Sequence, residues 1–429
     1  MHNLSKLFLA ITSLGLSAQG FASDFSLPFV NSSGLGVAYS DWAVGHDAST
    51  AYTNPAGLVN LKTRQMVVNA LGIFGDAKYT GSAMTPSFPF PAPVIENGTA
   101  RSPIGNFSPS FYYSLPLSDR FTGGFNVTTP FGLGTNYPNS SVVRYAATRS
   151  QVAAMDISPS LGLKLNDFVS AGVGFDAIYL AFQLNNMYGP PLSQVGPTSF
   201  IDQTLENKLK GWGYGWHGGL LFNFTQKTHV GVSYNSHVSI VTKGNSILFL
   251  PSNLAVRSDL QYTKAALPAR LQISLEQGLT DRLNATFTAF YVNWSTFSHI
   301  TMTTTVAPTP AGYVTLPVTI PFNYSNCWDF ALGATFKASE KILLRAGVEL
   351  MDTPSNNIDR GVADPIGNAT VVTIGAHYKA SDALSYDIGI GHSFFKEMPV
   401  NFANQLTVLQ GTTKTQTTVI GGQVNWSIA

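Results

Sequence analysis

Charged residues are scarce in this chain, at 11% of 429 residues, against the roughly 25% that is usual for a soluble protein. The net charge is only +1, which provides no field to hold nucleic acid or steer acidic partners. No run of 18 or more apolar residues occurs, which excludes helices that span a membrane. Glycine (39) and phenylalanine (28) are plentiful. This composition predicts a closed β-barrel facing lipid, because a barrel also pairs every backbone polar group internally.

The chain has a single cysteine, Cys327, so an internal disulfide framework and a cysteine-based metal site are both excluded. We expect a free thiol without functional weight. The eight histidines are scattered without metal-ligand spacing, and no catalytic constellation is evident. The sequence therefore predicts that the protein is not an enzyme and that it has no metal site and no cofactor.

The N-terminus has the pattern of a secretory signal peptide. Lys6 precedes a short apolar stretch at 7–16, and Gly20-Phe-Ala22 offers small residues at the cleavage positions. We expect residues 1–22 to be removed; a short buried helix is the alternative. Export together with a barrel predicts location in the outer membrane of a Gram-negative bacterium.

From residue 65 onward the hydrophobic pattern has a period of two, which is typical of half-buried strands. One example alternates Trp328, Phe330 and Leu332 with polar or small residues. Six short polar turns separate long Pro/Ser/Thr/Asn-rich stretches, which we predict to be loops at about 78–104, 130–149, 185–208, 242–258, 298–321, 352–367 and 397–415. Tight turns on one side and long loops on the other are typical of outer-membrane barrels. We therefore predict an all-β fold, a 14-stranded antiparallel transmembrane β-barrel spanning residues 65–429.

Residues 23–64 fit neither a helical nor a strand period. They contain Ser32-Ser-Gly-Leu-Gly36 and Asn54-Pro-Ala56, and they are rich in small residues. Irregular backbone at membrane depth is tolerated when it is buried in protein or lines a cavity. We therefore predict that this segment is an N-terminal plug, or hatch, inside the lumen.

These motifs carry a family resemblance. The chain resembles the FadL-type outer-membrane transporters of long-chain fatty acids and other hydrophobic compounds. The plug signature just described is the clearest part of the likeness. Further matching positions lie at Trp212-Gly-Tyr-Gly-Trp216, Leu267-Pro268 and Asp352-Thr-Pro354. The resemblance covers essentially the whole chain after the signal peptide.

The resemblance implies a hatch that shifts to release ligand, with exit sideways beside a kinked third strand. We predict this strand at 120–128, with its kink at Gly123-Gly124, because a glycine pair weakens strand regularity. A simple packing accommodation is the alternative. Asn54, Pro55 and Ala56 are expected to lie against this kink.

Apolar residues on the lumen face are informative, because that face should be polar. The fifth strand presents Ile178, Leu180 and Phe182 inward, and the ninth presents Phe290 and Val292. We interpret these side chains as lining a ligand pocket; packing against the plug or a loop is the alternative. Phe25 matches an early phenylalanine that reaches the family's internal site, and the resemblance makes it a further candidate ligand contact.

The family's carboxylate-binding pair does not carry over, because the matching positions here are Ala181 and Thr301. A fatty-acid carboxylate in an apolar site needs a cationic or hydrogen-bonding partner. Arg270, Arg345 and Lys164 are predicted inward and are candidates for that role, or else they pair with lumen acids such as Glu276, Glu349 or Asp156.

The sequence thus predicts a channel for long-chain fatty acids or similar hydrophobic molecules, working by passive diffusion past a plug. Transport of neutral hydrocarbons or aromatics, a general porin and a loop-based adhesin are the alternatives. The expected partners are a hydrophobic small molecule and outer-membrane lipid, without nucleic acid, and the expected state is a monomer.

Overall fold

The computed structural model describes residues 30–85, 93–188, 202–250, 254–309 and 312–428. Within these ranges, no helix has the length and apolar character needed to cross a membrane. The strands are β1 Arg64–Thr85, β2 Val94–Pro116, β3 Phe121–Asn136, β4 Arg149–Lys164, β5 Val169–Tyr188, β6 Gln203–Asn223, β7 Thr228–Asn235 with Val238–Phe249, β8 Ala255–Leu267 with Arg270–Gly278, β9 Leu283–Val292 with His299–Thr309, β10 Gly312–Pro321 with Cys327–Lys337, β11 Ile342–Met351, β12 Ala369–Lys379, β13 Leu384–Phe395 with Met398–Val400, and β14 Val408–Ile428.

These strands form one closed antiparallel barrel of 14 strands. Each strand pairs with its neighbours in sequence, and β14 closes on β1 along a register that runs from Arg64 opposite Ile428 to Met84 opposite Val408. The predicted strand number is confirmed. Closure pairs each strand with a neighbour on both sides over most of the barrel, which satisfies most backbone polar groups without water.

Six connections of the barrel are tight turns, at 117–120, 165–168, 224–227, 279–282, 338–341 and 380–383, where the sequence predicts them. We refer to this side as the turn end and to the opposite side as the loop end. The predicted loops are wrong in extent, because most of these polar stretches continue the strands. For example, β1 and β2 stay paired from Gln65 opposite Ser114 to Thr85 opposite Val94. Backbone pairing here outweighs the low strand propensity of the Pro/Ser/Thr-rich sequence.

Strand β3 is irregular, but not at Gly123-Gly124. Both glycines are paired in register with β2 and with β4. The register shifts between Thr128 and Phe131, a bulge that contains Pro130, which lacks a backbone donor. The irregularity of β3 therefore lies four to seven residues beyond Gly124, at a proline, which disrupts the ladder more than glycine does.

The bulge coincides with a separation of β2 from β3. The two strands pair only from Phe111 opposite Val127 to Pro116 opposite Thr122. Beyond Val127, within the described residues, β2 pairs with β1 and β3 pairs with β4. Near this separation, the side-chain amides of Asn106 and Asn126 are buried and have no hydrogen-bond partner in the described part of the chain.

Residues 30–63 form an irregular segment, which we call the N-terminal segment. It contains α1 (Ser32–Leu35), α2 (Thr50–Thr53) and two 3-10 helices, Trp42–Val44 and Pro55–Asn60. Asn31 caps α1 by accepting a hydrogen bond from the Gly34 amide at 2.9 Å. The turn at Ala38 and Tyr39 is left-handed, with φ of 53° and 57°, a conformation that costs energy in residues other than glycine.

The N-terminal segment is almost fully buried against the inward faces of the strands. Glycines on the barrel wall allow this close approach. A Cβ atom at Gly172 would lie closer than 3.0 Å to the backbone of Pro55, and one at Gly347 would lie closer than 3.0 Å to the backbone of Val37. The wall and the segment are therefore fitted to each other at the backbone level.

The outward face carries the large apolar side chains. Exposed examples at mid-barrel include Phe175, Tyr214, Leu332, Ile374 and Ile388. The inward positions hold polar residues toward the turn end and around the N-terminal segment, such as Asn69, Ser274 and Thr286. This polarity is the reverse of that in a soluble barrel, and the predicted alternation of the two faces is confirmed by the burial pattern.

We expect Gly347→Ala to lower the free energy of unfolding by about 1–3 kcal/mol, because the added methyl group overlaps the strained turn of the N-terminal segment. Urea titration of the detergent-solubilised protein measures the change. Gly422→Ala is the matched control, since a Cβ at Gly422 meets nothing within 4 Å. Equal stability of the two variants would contradict the proposed fit.

Candidate functional site

The five candidate ligand residues of β5 and β9 lie in one apolar cluster inside the barrel. Ile178, Leu180, Phe182, Phe290 and Val292 are all buried, with exposures of 6% or less. The cluster extends around the wall through Phe131, Val152, Leu209, Val238, Ile240, Leu267, Trp294, Ile300 and Met302. The interior is thus apolar over a band above the N-terminal segment, which is unusual for the lumen of a barrel.

A cavity of about 180 Å³ lies next to this cluster at the loop end. Its apolar lining comes from separate strands and loops, and includes Leu184, Leu205, Met302, Ile320, Val362 and Phe402. Leu184 and Ile320 also pack against the apolar cluster. Polar residues such as Asn185 and Asn207 also line the cavity, so a molecule entering from the loop end meets a mixed surface that leads to the apolar cluster.

The N-terminal segment forms the floor of the cluster. The Trp42 ring lies 5.7 Å from that of Phe290 and 6.1 Å from that of Tyr52, both in edge-on geometry. Phe290 therefore packs against the N-terminal segment. Packing against the plug was the alternative to a ligand-lining role for the inward apolar residues. The sequence did not single out Trp42 or Tyr52, although two aromatic residues in a small-residue segment are a usable signal.

A polar cluster lies beside Tyr52, on inward positions of β4, β5 and β6. The Ser158 hydroxyl lies within hydrogen-bond distance of both Asp156 and Asp176, at 2.8 Å in each case. The His217 ring joins Asp176 through Nδ1 at 2.5 Å and the Ala51 carbonyl through Nε2 at 2.9 Å. This histidine faces the interior as expected, and it links the barrel wall to the N-terminal segment.

Arg270 adjoins both the apolar cluster and the polar cluster. Its Nη2 donates to the Tyr52 hydroxyl at 2.5 Å, and its guanidinium lies 5.0 Å from the centre of the Phe131 ring. It shares a small cavity with Asp156 and Asp176. Its Nε is buried and has no hydrogen-bond partner in the described residues, so one donor is unused.

The other two predicted interior cations are already paired near the turn end. Arg345 bonds Asp387 at 2.5 Å, and Lys164 bonds Asp167 at 2.5 Å. Glu276, one of the acids expected to pair with these cations, pairs with His46, at 2.9 Å. The periodicity of the sequence does not define the strand register precisely enough to assign these partners.

Ala181 and Thr301 do not face the apolar interior. Each lies between buried inward neighbours, Ala181 between Leu180 and Phe182, and Thr301 between Ile300 and Met302. Side chains alternate along a strand, so both positions point outward. Neither position is therefore suited to hold a carboxylate inside the barrel.

A second, polar cavity of about 420 Å³ lies at the turn end, beneath the N-terminal segment. Desolvation lowers the pKa of His46 there, but the carboxylate of Glu276 outweighs it and raises the pKa to about 9. Burial raises the pKa of Asp41 to about 6, against the opposing charge of Arg345. Apolar and polar chambers thus lie on opposite sides of the segment.

The Asn54-Pro-Ala56 motif is held tightly, although not where it was expected. Asn54 donates to the carbonyls of Ala43 at 2.8 Å and of Leu220 at 3.1 Å. Pro55 and Ala56 lie against Gly172 of β5.

The side chains nearest Gly124 of β3 in the N-terminal segment are those of Ala51, which precedes the motif by three residues, and Leu58, which follows it by two. Gly123 meets nothing closer than 3.7 Å. The motif itself packs against β5 and β6, and the 3-10 helix Pro55–Asn60 turns Leu58 toward β3. Contact of Asn54-Pro-Ala56 with Gly123-Gly124 stays a prediction.

Phe25 and most of the Pro-rich stretch at 88–93 lie outside the described residues. Cys327 is buried and forms no disulfide. In the part of the chain that the structure describes, no group of His, Cys, Asp and Glu is arranged to hold a metal ion.

The sequence and the fold were compared with those of known proteins. A family model described as "Outer membrane protein transport protein (OMPP1/FadL/TodX)" matches residues 13–428. Outer membrane protein P1 of Haemophilus influenzae is 27% identical over 441 residues, covering 95% of this chain and 93% of the relative. The long-chain fatty acid transport protein of Salmonella typhi is 23% identical over 421 residues, covering 92% and 93%.

The crystal structure of a Pseudomonas aeruginosa FadL homologue superposes with a TM-score of 0.82 at 21% identity, covering 95% of this chain and 100% of that one. The likeness shows a shared fold. The family model extends over nearly the whole chain. This chain is therefore an outer-membrane β-barrel and belongs to the OMPP1/FadL/TodX family of transport proteins.

Proposed function

We propose that the protein admits long-chain fatty acids or similar hydrophobic molecules across the outer membrane by passive diffusion. The observation that carries this proposal is the apolar band of the interior, which lies next to the cavity at the loop end. The band includes Ile178, Leu180 and Phe182. A general porin would need a polar lumen for hydrated solutes. An apolar lumen instead lowers the free energy of a hydrophobic molecule that leaves water.

The exposed apolar belt of the barrel faces lipid, with the loop end outside the cell and the turn end in the periplasm. This orientation follows the usual placement of tight turns in such barrels. Residues 1–22 act as the signal peptide, 23–64 as the plug and 65–429 as the barrel, and the protein works as a monomer. The fit between the glycines of the wall and the N-terminal segment supports the plug, because it closes the path between the two cavities.

Release from the apolar band runs sideways, through the separation between β2 and β3 beyond Val127. Two features support this route. The backbone ladder is interrupted there, so fewer hydrogen bonds need to break for an opening. Two residues of the plug, Ala51 and Leu58, pack on the neighbouring Gly124. A shift of the plug would therefore change the packing on β3.

The free Nε of Arg270 favours a fatty acid over a neutral hydrocarbon. A carboxylate in an apolar site needs a charged donor, and Arg270 is positioned at the edge of the apolar cluster. The apolar cluster itself would accommodate a neutral hydrocarbon equally well. We therefore propose the fatty acid as the main substrate class and hydrocarbons or aromatics as the second candidate.

Leu180→Asp is expected to lower uptake of radiolabelled oleate at least about tenfold, because it buries a charge in the apolar path. Leu180→Met conserves volume and apolar character and should transport normally. Heat-modifiable gel mobility identifies variants that assemble as barrels. Wild-type uptake by an assembled Asp variant would refute the path.

Arg270→Gln is expected to reduce oleate uptake about tenfold while leaving toluene uptake unchanged, since only the acid needs the cation. Arg270→Lys retains the charge and should restore part of the oleate uptake. Equal loss for both solutes would show that Arg270 is only structural, and no loss for either would remove the argument for a fatty acid.

Locking β2 to β3 tests the lateral exit. In a Cys327→Ser background, we expect a disulfide between Ser110→Cys and Thr128→Cys to abolish uptake and a reductant to restore it, because it closes the separation. The control pair, Leu115→Cys with Gly123→Cys, lies where the strands are already in register. Undiminished transport with the first disulfide formed would rule the route out.

A further inference from the structure

A group of lysines lies on the outward face of the barrel near the loop end. Lys208 and Lys210 are on β6, and Lys243 is on β7. All three are exposed, and the inward neighbour Leu209 is buried, so they point away from the lumen. We refer to these three residues as the lysine patch.

The lysine patch contains an unfavourable pair. Lys210 and Lys243 are direct partners in the ladder between β6 and β7. Like charges directly opposite each other on an antiparallel sheet are destabilising. Lys208 bonds Glu206 at 2.7 Å, but neither Lys210 nor Lys243 has an acidic partner within the described residues.

The charged residues around the patch balance one another. Arg149 on β4 and Arg257 on β8 lie in register with Glu206, and Asp259 on β8 lies in register with Asn245 and Lys208. The stretch at 189–201, between β5 and β6, contains no acidic residue. The surroundings therefore do not offset the three lysines, and a group that neutralises Lys210 and Lys243 would belong to another molecule.

The height of the patch identifies what surrounds it. Tyr179 and Trp212 lie 5.2 Å apart, one row nearer the turn end than Lys210. On the same strand, Phe222 packs with Phe168 and Phe224 at the turn end. Trp212 and Phe222 are ten residues apart along β6, which matches the roughly 9–11 residues that cross the hydrocarbon layer. The lysine patch thus lies at the level of the outer headgroups, just above the aromatic girdle.

A groove of about 450 Å³ adjoins the patch. Its floor includes the small side chains of Ala153 and Ala181, and Tyr179 forms one wall. Lys208, Lys210 and Asn245 contribute its polar rim. The groove has the dimensions and polarity for acyl chain on one side and a charged headgroup on the other.

We propose that this outward groove and the lysine patch bind a phosphorylated glycolipid of the outer leaflet, of the lipid A type. Its sugar phosphates lie between Lys210 and Lys243 and remove their mutual repulsion, while an acyl chain follows Ala181 and Tyr179. Ammonium groups are effective phosphate partners, and clustered basic residues at a membrane surface bind anionic lipid headgroups. The site is outside the lumen, so it is independent of the solute that passes through the barrel.

Native mass spectrometry of the full-length barrel in detergent, titrated with purified bisphosphorylated lipid A, tests the proposal. We expect the wild-type protein to retain one lipid A, and Lys210→Gln with Lys243→Gln to weaken its binding about tenfold. Lys210→Arg with Lys243→Arg should bind like the wild type. The control variant, Lys337→Gln with Lys379→Gln, removes the same number of positive charges at the turn end. It should bind lipid A like the wild type.

Dephosphorylated lipid A should bind the wild type as weakly as bisphosphorylated lipid A binds the Gln variant, and inorganic phosphate in excess should not displace the lipid. Unchanged affinity in an assembled Gln variant, equal affinity for the dephosphorylated lipid, or full displacement by inorganic phosphate would each overturn the proposal. Oleate uptake by the Gln variant, measured in parallel, should be unchanged, which separates this site from the transport path.

Discussion

The closed backbone ladder is the constraint on which the rest of the structure depends. Every strand must find two neighbours, because lipid offers no partner for an unpaired N–H or C=O group. Closure of β1 on β14 meets this requirement and creates an interior of its own. Only an interior of this kind has room for the irregular segment at 30–63, whose polar groups are satisfied by inward side chains such as Ser274 and Gln423.

The interior is divided by that segment into two different environments. Above it, apolar side chains from β5 and β9 meet those of the N-terminal segment, as in the contact of Phe290 with Trp42. Below it, charged groups such as His46 and Glu276 line a polar cavity. A hydrophobic solute is stabilised in the first environment and not in the second.

Much of the fold was readable from the sequence, because strand alternation and turn chemistry are local. The six tight turns, the number of strands and the inward positions of Leu180 and Phe290 all follow from a period of two. Loop extents were not readable, since pairing between distant polar stretches such as 78–85 and 94–101 depends on the partner strand. The irregularity of β3 was assigned to Gly123-Gly124, whereas the bulge contains Pro130.

The sequence by itself determined a barrel with an apolar exterior and an apolar band inside, because composition and periodicity encode which side of each strand is apolar. Only the tertiary structure decided which charges meet. Closure brings Arg270 to Tyr52 and His217 to Ala51, and it places Lys210 opposite Lys243. These partners lie far apart in the chain or in neighbouring strands whose register is set by the closed ladder, so no local pattern could have paired them.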